Sequence, residues 1–200
     1  ARANIIRASI NKIYFFEKHC HQTSNRNELF RSEAAATLNY WAGVRLLAKQ
    51  PNEWKRDYPS AKDPLNKALN IGYHNLAQTI RTLLKKTNLE LSIGVLHAPK
   101  ARSEALVYDL QELCRQSVVD KVVIPLFSRP KTRANPNSSK VAALIYERMK
   151  QDAYYKDGWW QLADIITDQV NHYIRASRNN LIWEPYRYDW SHRTYKKSTR

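Results

Sequence analysis

The stretch DPLNKALNIGYHNLAQTIRTLL, residues 63–84, decides the fold. Its opening pair, Asp63 and Pro64, predicts a helix start, because the Asp carboxylate accepts from free backbone amides and Pro lacks a donor that would be unpaired there. Apolar side chains then recur at spacings that place them on one helix face: Leu65, Leu69, Leu76, Ile80 and Leu83. The stretch therefore predicts an amphipathic helix with one apolar face.

The same helical spacing recurs along most of the chain, so the predicted fold class is all-α. A helix is predicted from about residue 26 to Gln50, where Pro51 ends it. Ser103 is the predicted cap of a further helix. Two last helices are predicted near residues 139–155 and 159–177.

Three segments interrupt this rhythm. The apolar stretch LSIGVLHAP, residues 91–99, predicts a buried connector, since Gly and Pro break its helical spacing. The stretch SRPKTRANPNSS, residues 128–139, predicts an exposed and mobile loop. The chain closes on a basic sequence, SHRTYKKSTR, that is typical of a loose terminus. We expect a helical domain over residues 1–178 and a basic tail over residues 179–200.

The charge of the chain predicts a nucleic-acid partner. Lys and Arg outnumber Asp and Glu by 33 to 18, and the resulting net charge of +15 attracts a polyanion. A membrane surface is the competing partner, but no apolar run approaches the roughly 18 to 20 residues of a membrane span, and no signal peptide opens the sequence. We therefore expect a cytoplasmic protein that makes no use of a membrane.

Two further features bear on the boundaries and the redox state of the protein. Cys20 and Cys114 lie far apart without paired spacing, which predicts reduced structural thiols rather than a disulfide framework or a cysteine zinc site. The first residues already look helical, so we expect that an N-terminal part of the native protein precedes this sequence.

The most informative chemical cluster is His97 with Asp109 and Glu112. Residues three apart on a helix lie about 5 to 6 Å from each other, so the two carboxylates share a face. Together with a nearby imidazole they could hold a divalent metal. The competing interpretation is a solvated acidic face and a hydrogen-bonded structural histidine, which are common in charged helices.

Around this cluster the sequence resembles the CRISPR-associated integrases of the adaptation module, the Cas-one family. The stretch GVLHAPKARSEALVYDLQELCR, residues 94–115, resembles the family signature that contains the His and the acidic residues. Upstream, DPLNKALNIGY looks like a second signature, and LFRSEAAATLNYW, residues 29–41, resembles the segment with the catalytic Glu. Later, YYKDGWWQLADIITDQVNHYI and WEPYRYDW are similar to less specific segments near the family's C-terminus.

The resemblance implies a metal-dependent enzyme of a prokaryotic cytoplasm. It implies that Glu33, His97 and Glu112 hold the metal and that Asp109 supports the site as a further catalytic residue. Carboxylates suit Mg²⁺ or Mn²⁺, and an imidazole ligand tilts the preference toward Mn²⁺. The implied reaction is a transesterification in which the 3′ hydroxyl of a captured DNA fragment attacks the CRISPR repeat. With water as the nucleophile, the same site acts as an endonuclease.

The resemblance also implies residues that meet double-stranded DNA. Asn66, Asn70 and Tyr73 belong to the second signature and either line the DNA or buttress the site. The other candidates are basic side chains that would follow the phosphate backbone: Arg31, Lys85 and Lys86. Trp159 and Trp160 are predicted to be core residues at the start of the last helix, although exposed tryptophans could stack on bases.

The partners that the resemblance implies are a captured fragment, a CRISPR repeat, a second copy of the chain and a small ferredoxin-like adaptation protein (Cas-two). Two departures from the family stand out. Where the family often reads Pro-Phe-Arg-Pro, this chain reads LCRQ, residues 113–116, and no N-terminal β-rich domain is evident. Some members of the family are fused to a reverse transcriptase, and this sequence is compatible with that arrangement.

Other functions fit the same residues. A transposon-encoded relative would use the same metal site on a different DNA. A non-catalytic helical module would bind DNA through its +15 charge alone and show no metal-dependent cleavage. A zinc-stabilised protein using His19, Cys20 and His21 is disfavoured, because adjacent helical positions point about 100° apart and cannot close a tetrahedral site.

Overall fold

The computed structural model describes residues 2–23, 25–96, 103–128 and 137–185. The described residues are mainly helical, which confirms the all-α prediction, and they contain a single β-hairpin. In chain order the elements are α1 (Arg2–Gln22), α2 (Arg26–Leu47), α3 (Pro64–Leu84), α4 (Ala105–Cys114), a π-helix (Arg115–Asp120), α5 (Lys121–Ser128), α6 (Ser138–Met149), β1 (Asp152–Tyr155), β2 (Gly158–Gln161) and α7 (Leu162–Asn179).

The chain forms two compact units. The first contains the described residues up to 62 together with 124–128, and the second contains those of 63–123 and 137–185. Among the described residues, no helix combines the length and the hydropathy that a membrane crossing needs.

In the first unit, α1 and α2 pack against each other as a helical hairpin. Asn25 starts α2 by accepting the Asn27 backbone amide at 2.9 Å. The two helices approach closely at Gly43, where an added Cβ would lie 3.9 Å from the Ser9 Cβ. The helix predicted over 26–50 is confirmed, but it ends at Leu47, because the backbone leaves the helical region two residues later.

The core of the second unit is built on α3. Asp63 caps this helix as predicted, accepting the Asn66 backbone amide at 2.9 Å, and Pro64 occupies the first turn. Four of the five predicted core positions are fully buried, whereas Leu83 is half-buried and Leu84 takes the core position instead. The buried face of α3 contacts α4, the π-helix, α6 and α7. α3 is therefore the central helix of this unit.

The π-helix continues directly from α4 into α5. It packs on α3 at Gly72, where an added Cβ would stand only 2.5 Å from Val119 Cγ1. A widened helical turn disturbs the regular pairing of backbone groups. Here the Ser117 carbonyl accepts from the buried Arg148 Nε at 2.9 Å, which ties α6 to the π-helix.

The predicted cap at Ser103 is wrong. The helix begins at Ala105 with Glu104 in the capping position, and no side chain caps it. Glu104 is held instead by an ion pair with Arg81 of α3, with Arg81 Nε 2.6 Å from Glu104 Oε1. This tertiary contact sets the helix start in place of a local cap.

Two helices are present near the predicted ranges 139–155 and 159–177, but the predicted end of the first and the predicted start of the second are wrong. The first ends at Met149 and the second begins at Leu162, with the antiparallel strands β1 and β2 between them. Lys156 and Asp157 form the two-residue turn, with φ angles of 46° and 61°, the geometry that matches the twist of paired strands. The Asp-Gly pair that is typical of such turns is present as Asp157–Gly158, but it is shifted by one residue, because the turn is Lys156–Asp157 and Gly158 is the first residue of β2.

Trp159 and Trp160 therefore lie on a strand and not at the start of a helix. They are 45% and 38% exposed, so the prediction that they are core residues is also wrong. Their rings make edge-to-face contacts with the strand opposite, Trp159 with Tyr154 at 5.8 Å and Trp160 with Tyr155 at 5.7 Å. The two Trp side chains therefore pack against the aromatic rings of β1 and not in the helical core.

The connector at residues 91–99 is less buried than predicted. Ile93 and Val95 are exposed, and the other described residues of the segment are half-buried. The mobile loop predicted at 128–139 falls mostly on residues outside the described ranges, as does most of the predicted tail at 179–200. Those two predictions, and the domain limits of 1–178 and 179–200, remain predictions.

We expect Gly72→Ala to lower the free energy of unfolding by about 1–2 kcal/mol, because overpacking against the stiff Val119 outweighs the gain in helix propensity. Urea unfolding followed by circular dichroism measures this. Gly43→Ala is the matched control and should be neutral or stabilising, since its new methyl makes an ordinary contact. Adding Val119→Ala to Gly72→Ala should recover part of the loss, and a neutral Gly72→Ala would contradict the close contact.

Candidate active site

The acidic helix α4 carries two predicted site residues in different surroundings. Asp109 is buried, and its Oδ2 accepts the Leu96 backbone amide at 2.8 Å. Leu96 directly precedes His97 in the sequence. The contact anchors to α4 the backbone that leads into the predicted metal-binding His.

Glu112, three residues further along α4, faces solvent. Its side chain is 51% exposed, and its Oε1 forms an ion pair with Arg115 Nη1. The Arg115 side chain is only 25% exposed, and its guanidinium lies 4.5 Å from the centre of the Tyr73 ring. Glu112 is thus an accessible carboxylate beside a cation that is held against an aromatic face.

Tyr73 is the centre of a buried network. Its hydroxyl donates to Asp120 Oδ1, and its backbone carbonyl accepts from Gln111 Nε2 at 2.8 Å. Burial raises the pKa of Tyr73 well above its usual value, and the neighbouring Asp120 carboxylate raises the pKa further. The network joins α3 to both ends of the segment that carries Glu112 and Arg115.

Sequence reasoning missed three members of this network, namely Gln111, Arg115 and Asp120. Two signals for them are visible in the sequence. Arg115 follows Glu112 at the three-residue spacing of helical ion pairs. Asp120 is a single acid in the apolar run VVDKVV, and a buried acid needs a partner. Arg115 is the first residue of the π-helix, and it matches the Arg of the family's Pro-Phe-Arg-Pro, whereas the other three residues of LCRQ depart from that pattern.

The predicted DNA-contacting residues divide into buried and exposed groups. Asn66 is fully buried, and its Nδ2 donates to Asp63 Oδ2 at 2.7 Å. Asn66 and Tyr73 present no surface to DNA in this structure, so the buttressing role is the one that fits them. Asn70 is half-buried, and the remaining candidates are exposed basic residues: Arg31, Lys85 and Lys86.

The three predicted metal ligands are described unequally. Glu112 lies on α4 in the second unit, and Glu33 is exposed on α2 in the first. His97 lies outside the described residues. Within the described ranges, no three His, Cys, Asp or Glu side chains form a group that could hold a metal ion. The convergence of Glu33, His97 and Glu112 remains a prediction.

The donor chemistry of these residues fits a hard divalent cation. Glu112 and Glu33 offer accessible carboxylates, the ligands that Mg²⁺ and Mn²⁺ accept in proteins. The soft ligand on α4, Cys114, is buried, and burial raises the pKa of its thiol to about 12. Both cysteines are free, as predicted. The chemistry of the site therefore favours oxygen and imidazole coordination.

Comparison with known protein families identifies the chain. Residues 1–154 match the family model described as CRISPR associated protein Cas1, the family that the sequence motifs resemble. The chain belongs to the Cas1 family. The CRISPR-associated endonuclease Cas1 1 of Saccharolobus solfataricus is 29% identical to it over 150 residues, which are 71% of this chain and 41% of that relative.

A second relative is itself a fusion protein. The CRISPR-associated exonuclease Cas4/endonuclease Cas1 fusion of Leptospira interrogans is 30% identical over 118 residues, which are 56% of this chain and 21% of that relative. The chain thus spans less than half the length of either of these Cas1 relatives.

Solved structures show the same fold at low sequence identity. A Cas1 protein from Thermotoga maritima superposes with a TM-score of 0.66 at 18% identity, over 88% of this chain and 64% of that one. A casposase bound to integration product superposes with a TM-score of 0.63, also at 18% identity, over 92% of this chain and 66% of that one. The helical architecture is therefore a known Cas1 architecture.

The Tyr73 network predicts a dependence of stability on alkaline pH. Above pH 10 the unfolded chain releases the phenol proton, whereas the folded chain keeps it because its pKa is raised. The folded state then binds more protons, so the free energy of unfolding falls as pH rises, by up to about 1.4 kcal/mol per pH unit.

Tyr73→Phe should remove this contribution, and its free energy of unfolding should fall less steeply than wild type between pH 10 and 11. The hydroxyl lost at neutral pH costs about 1–3 kcal/mol, so the slope and not the absolute value is the readout. Urea unfolding at each pH measures it. The exposed Tyr146 is the matched position, where Tyr146→Phe should leave the slope unchanged. Equal slopes for wild type and Tyr73→Phe would contradict the network.

Proposed function

We propose that this chain is the catalytic part of a metal-dependent DNA integrase and endonuclease of CRISPR spacer acquisition. The observation that carries the proposal is the placement of two signature acids of a Cas1-family chain on α4. Asp109 is buried and holds the backbone that leads into His97, whereas Glu112 is accessible to a ligand. This division suits a residue that positions the site, Asp109, and a residue that binds the metal, Glu112.

Glu33, His97 and Glu112 would hold Mg²⁺ or Mn²⁺. When bound, the cation supplies stabilisation of the charge that builds on the attacking and leaving oxygens of the scissile phosphate. The residues of the chain orient it: Asp109 positions the segment before His97, and the Tyr73 network holds the helix that carries Glu112. No covalent protein nucleophile is needed.

The proposed reaction exchanges one phosphodiester bond for another. The 3′ hydroxyl oxygen of the captured fragment forms a bond to a phosphorus of the CRISPR repeat, and the bond from that phosphorus to the 3′ oxygen of the cut strand breaks. The proton of the attacking hydroxyl ends on the leaving oxygen by way of solvent. With water as the attacking group the same exchange is hydrolysis, the endonuclease activity.

DNA would be held by exposed basic side chains that contact phosphates without reading sequence. The net charge of +15 and the exposure of Arg31, Lys85 and Lys86 support this. The other proposed partners are a second copy of the chain and a small ferredoxin-like adaptation protein. A reverse transcriptase, fused or associated, is a further proposed partner. The resemblance to the Cas1 family supports these proposed partners, which concern the whole protein.

Glu112→Ala should weaken Mn²⁺ binding at least about 10-fold and abolish joining of a short duplex with free 3′ hydroxyls to a supercoiled CRISPR plasmid. DNA binding should persist, since its affinity comes from Lys and Arg. Calorimetric titration with Mn²⁺ and a gel assay for joined product measure the two effects. His97→Ala and Glu33→Ala should behave in the same way.

Glu147→Ala is the matched control, because Glu147 is also exposed and also pairs with a cation three residues on, Lys150, at 2.8 Å. It should change neither metal binding nor joining. If Glu112→Ala bound Mn²⁺ like wild type, the catalytic proposal would fail and the non-catalytic DNA-binding module would remain. Joining that proceeds equally well with plasmids lacking a CRISPR repeat would favour a transposon-type integrase with the same chemistry.

Replacing both Lys85 and Lys86 by Ala should weaken binding to a random-sequence duplex and reduce the slope of log K against log salt by up to about 1.8. Lys150 and Lys156 are ion-paired, with Glu147 and Asp168, and their double Ala variant is the control for loss of two charges. Fluorescence anisotropy at several salt concentrations reports the slope. A smaller effect from the first pair than from the control pair would place the DNA elsewhere.

A further inference from the structure

We propose that Arg115 is an exchangeable partner of Glu112: it holds the carboxylate before metal binds, and is released to a DNA phosphate afterwards. The inference rests on the proposed function and deepens it, because it assigns a role to a residue outside the predicted ligand set. Its basis is the pairing of an accessible acid with a cation that the fold holds in place.

The position of Arg115 is set by more than its ion pair. It begins the π-helix, its guanidinium stacks on Tyr73, and Tyr73 is itself held through its hydroxyl by Asp120. A guanidinium over an aromatic face is attracted to the ring itself, and this contact does not depend on the salt bridge with Glu112. These contacts therefore hold Arg115 in place when Glu112 breaks the ion pair.

Glu112 is held by this ion pair, and half of its side chain is exposed. A divalent cation carries twice the charge of a guanidinium and binds carboxylate oxygens directly. Metal binding at Glu112 should thus displace Arg115 from the carboxylate oxygen. The exchange makes metal binding weaker than it would be beside a neutral residue at position 115.

After the ion pair opens, the guanidinium remains over the Tyr73 ring, close to the carboxylate that holds the metal. A phosphate drawn to that metal would come within reach of its N–H groups, which match phosphate oxygens in geometry and charge. Arg115 is then a positioning residue that contacts DNA only in the metal-loaded state. A basic residue with a purely structural role would make the same contribution with and without metal.

Arg115→Met should bind Mn²⁺ about 2- to 5-fold more tightly than wild type, the size expected when a partly exposed ion pair no longer competes. Arg115→Gln, which is neutral and keeps a planar polar group, should show the same tightening if Arg115→Met folds poorly. Arg115→Lys keeps the competing charge and should stay within about 2-fold of wild type. Electron paramagnetic resonance of free Mn²⁺ measures the affinity without an activity assay.

DNA binding supplies a second readout. In Mn²⁺, Arg115→Gln should reduce the slope of log K against log salt by up to about 0.9, the value of one phosphate contact, whereas in chelator the slope should match that of wild type. Lys150→Met is the control for both measurements, since Lys150 pairs with Glu147 in the same three-residue geometry away from the site. It should leave Mn²⁺ affinity and the metal dependence of the slope unchanged.

Glu112→Gln separates this inference from the proposed function. If Glu112→Gln binds Mn²⁺ like wild type, Glu112 is not a ligand and the proposed function itself fails. If Glu112→Gln loses Mn²⁺ binding but both neutral Arg115 variants keep the wild-type affinity, only the exchange is overturned. A lowered thermal midpoint with unchanged Mn²⁺ affinity in all three Arg115 variants would likewise reduce Arg115 to a structural role.

Discussion

The contact on which the second unit depends is the close approach of Gly72 to Val119. A side chain at position 72 would push the π-helix away from α3, because its Cβ would stand 2.5 Å from Val119 Cγ1. Because α3 and the π-helix are close here, the next residue, Tyr73, contacts both ends of the π-helix. Its ring lies beneath Arg115, and its hydroxyl donates to Asp120. The widened turn is thus fixed at both of its ends against a single helix.

This packing divides the acids of the site by their environment. Asp109 and Asp120 are buried and accept from a backbone amide and a phenol, so they serve to hold neighbouring segments. Glu112 is accessible, and its partner Arg115 is a cation that cannot lose its proton under physiological conditions. The accessible acid on α4, Glu112, is therefore paired with a cation, whereas the buried acids are held by hydrogen bonds.

Capping residues and helical spacing predicted α2 and α3 well. The same short-range patterns failed at the start of α4, where a contact with a distant residue is present. Asp63 caps α3 because capping is decided within three residues of sequence. Ser103 does not cap α4, which begins one residue later than predicted, after Glu104, and Glu104 forms an ion pair with Arg81 of another helix. The hairpin at 152–161 was missed, because the helical periodicity on both sides obscured it and the Asp157–Gly158 pair is one residue out of register with the turn.

The sequence by itself determined the helical class, the cap and apolar face of α3, and the motifs that resemble the Cas1 family, since these depend on short-range spacing and on residue identity. Only the tertiary structure decided which acids are buried, that Tyr73 and Asn66 are buried as well, and that Arg115 pairs with Glu112 above an aromatic ring. The physical reason is that burial and pairing depend on residues far apart in the chain, as with Tyr73 and Asp120, which periodicity cannot report.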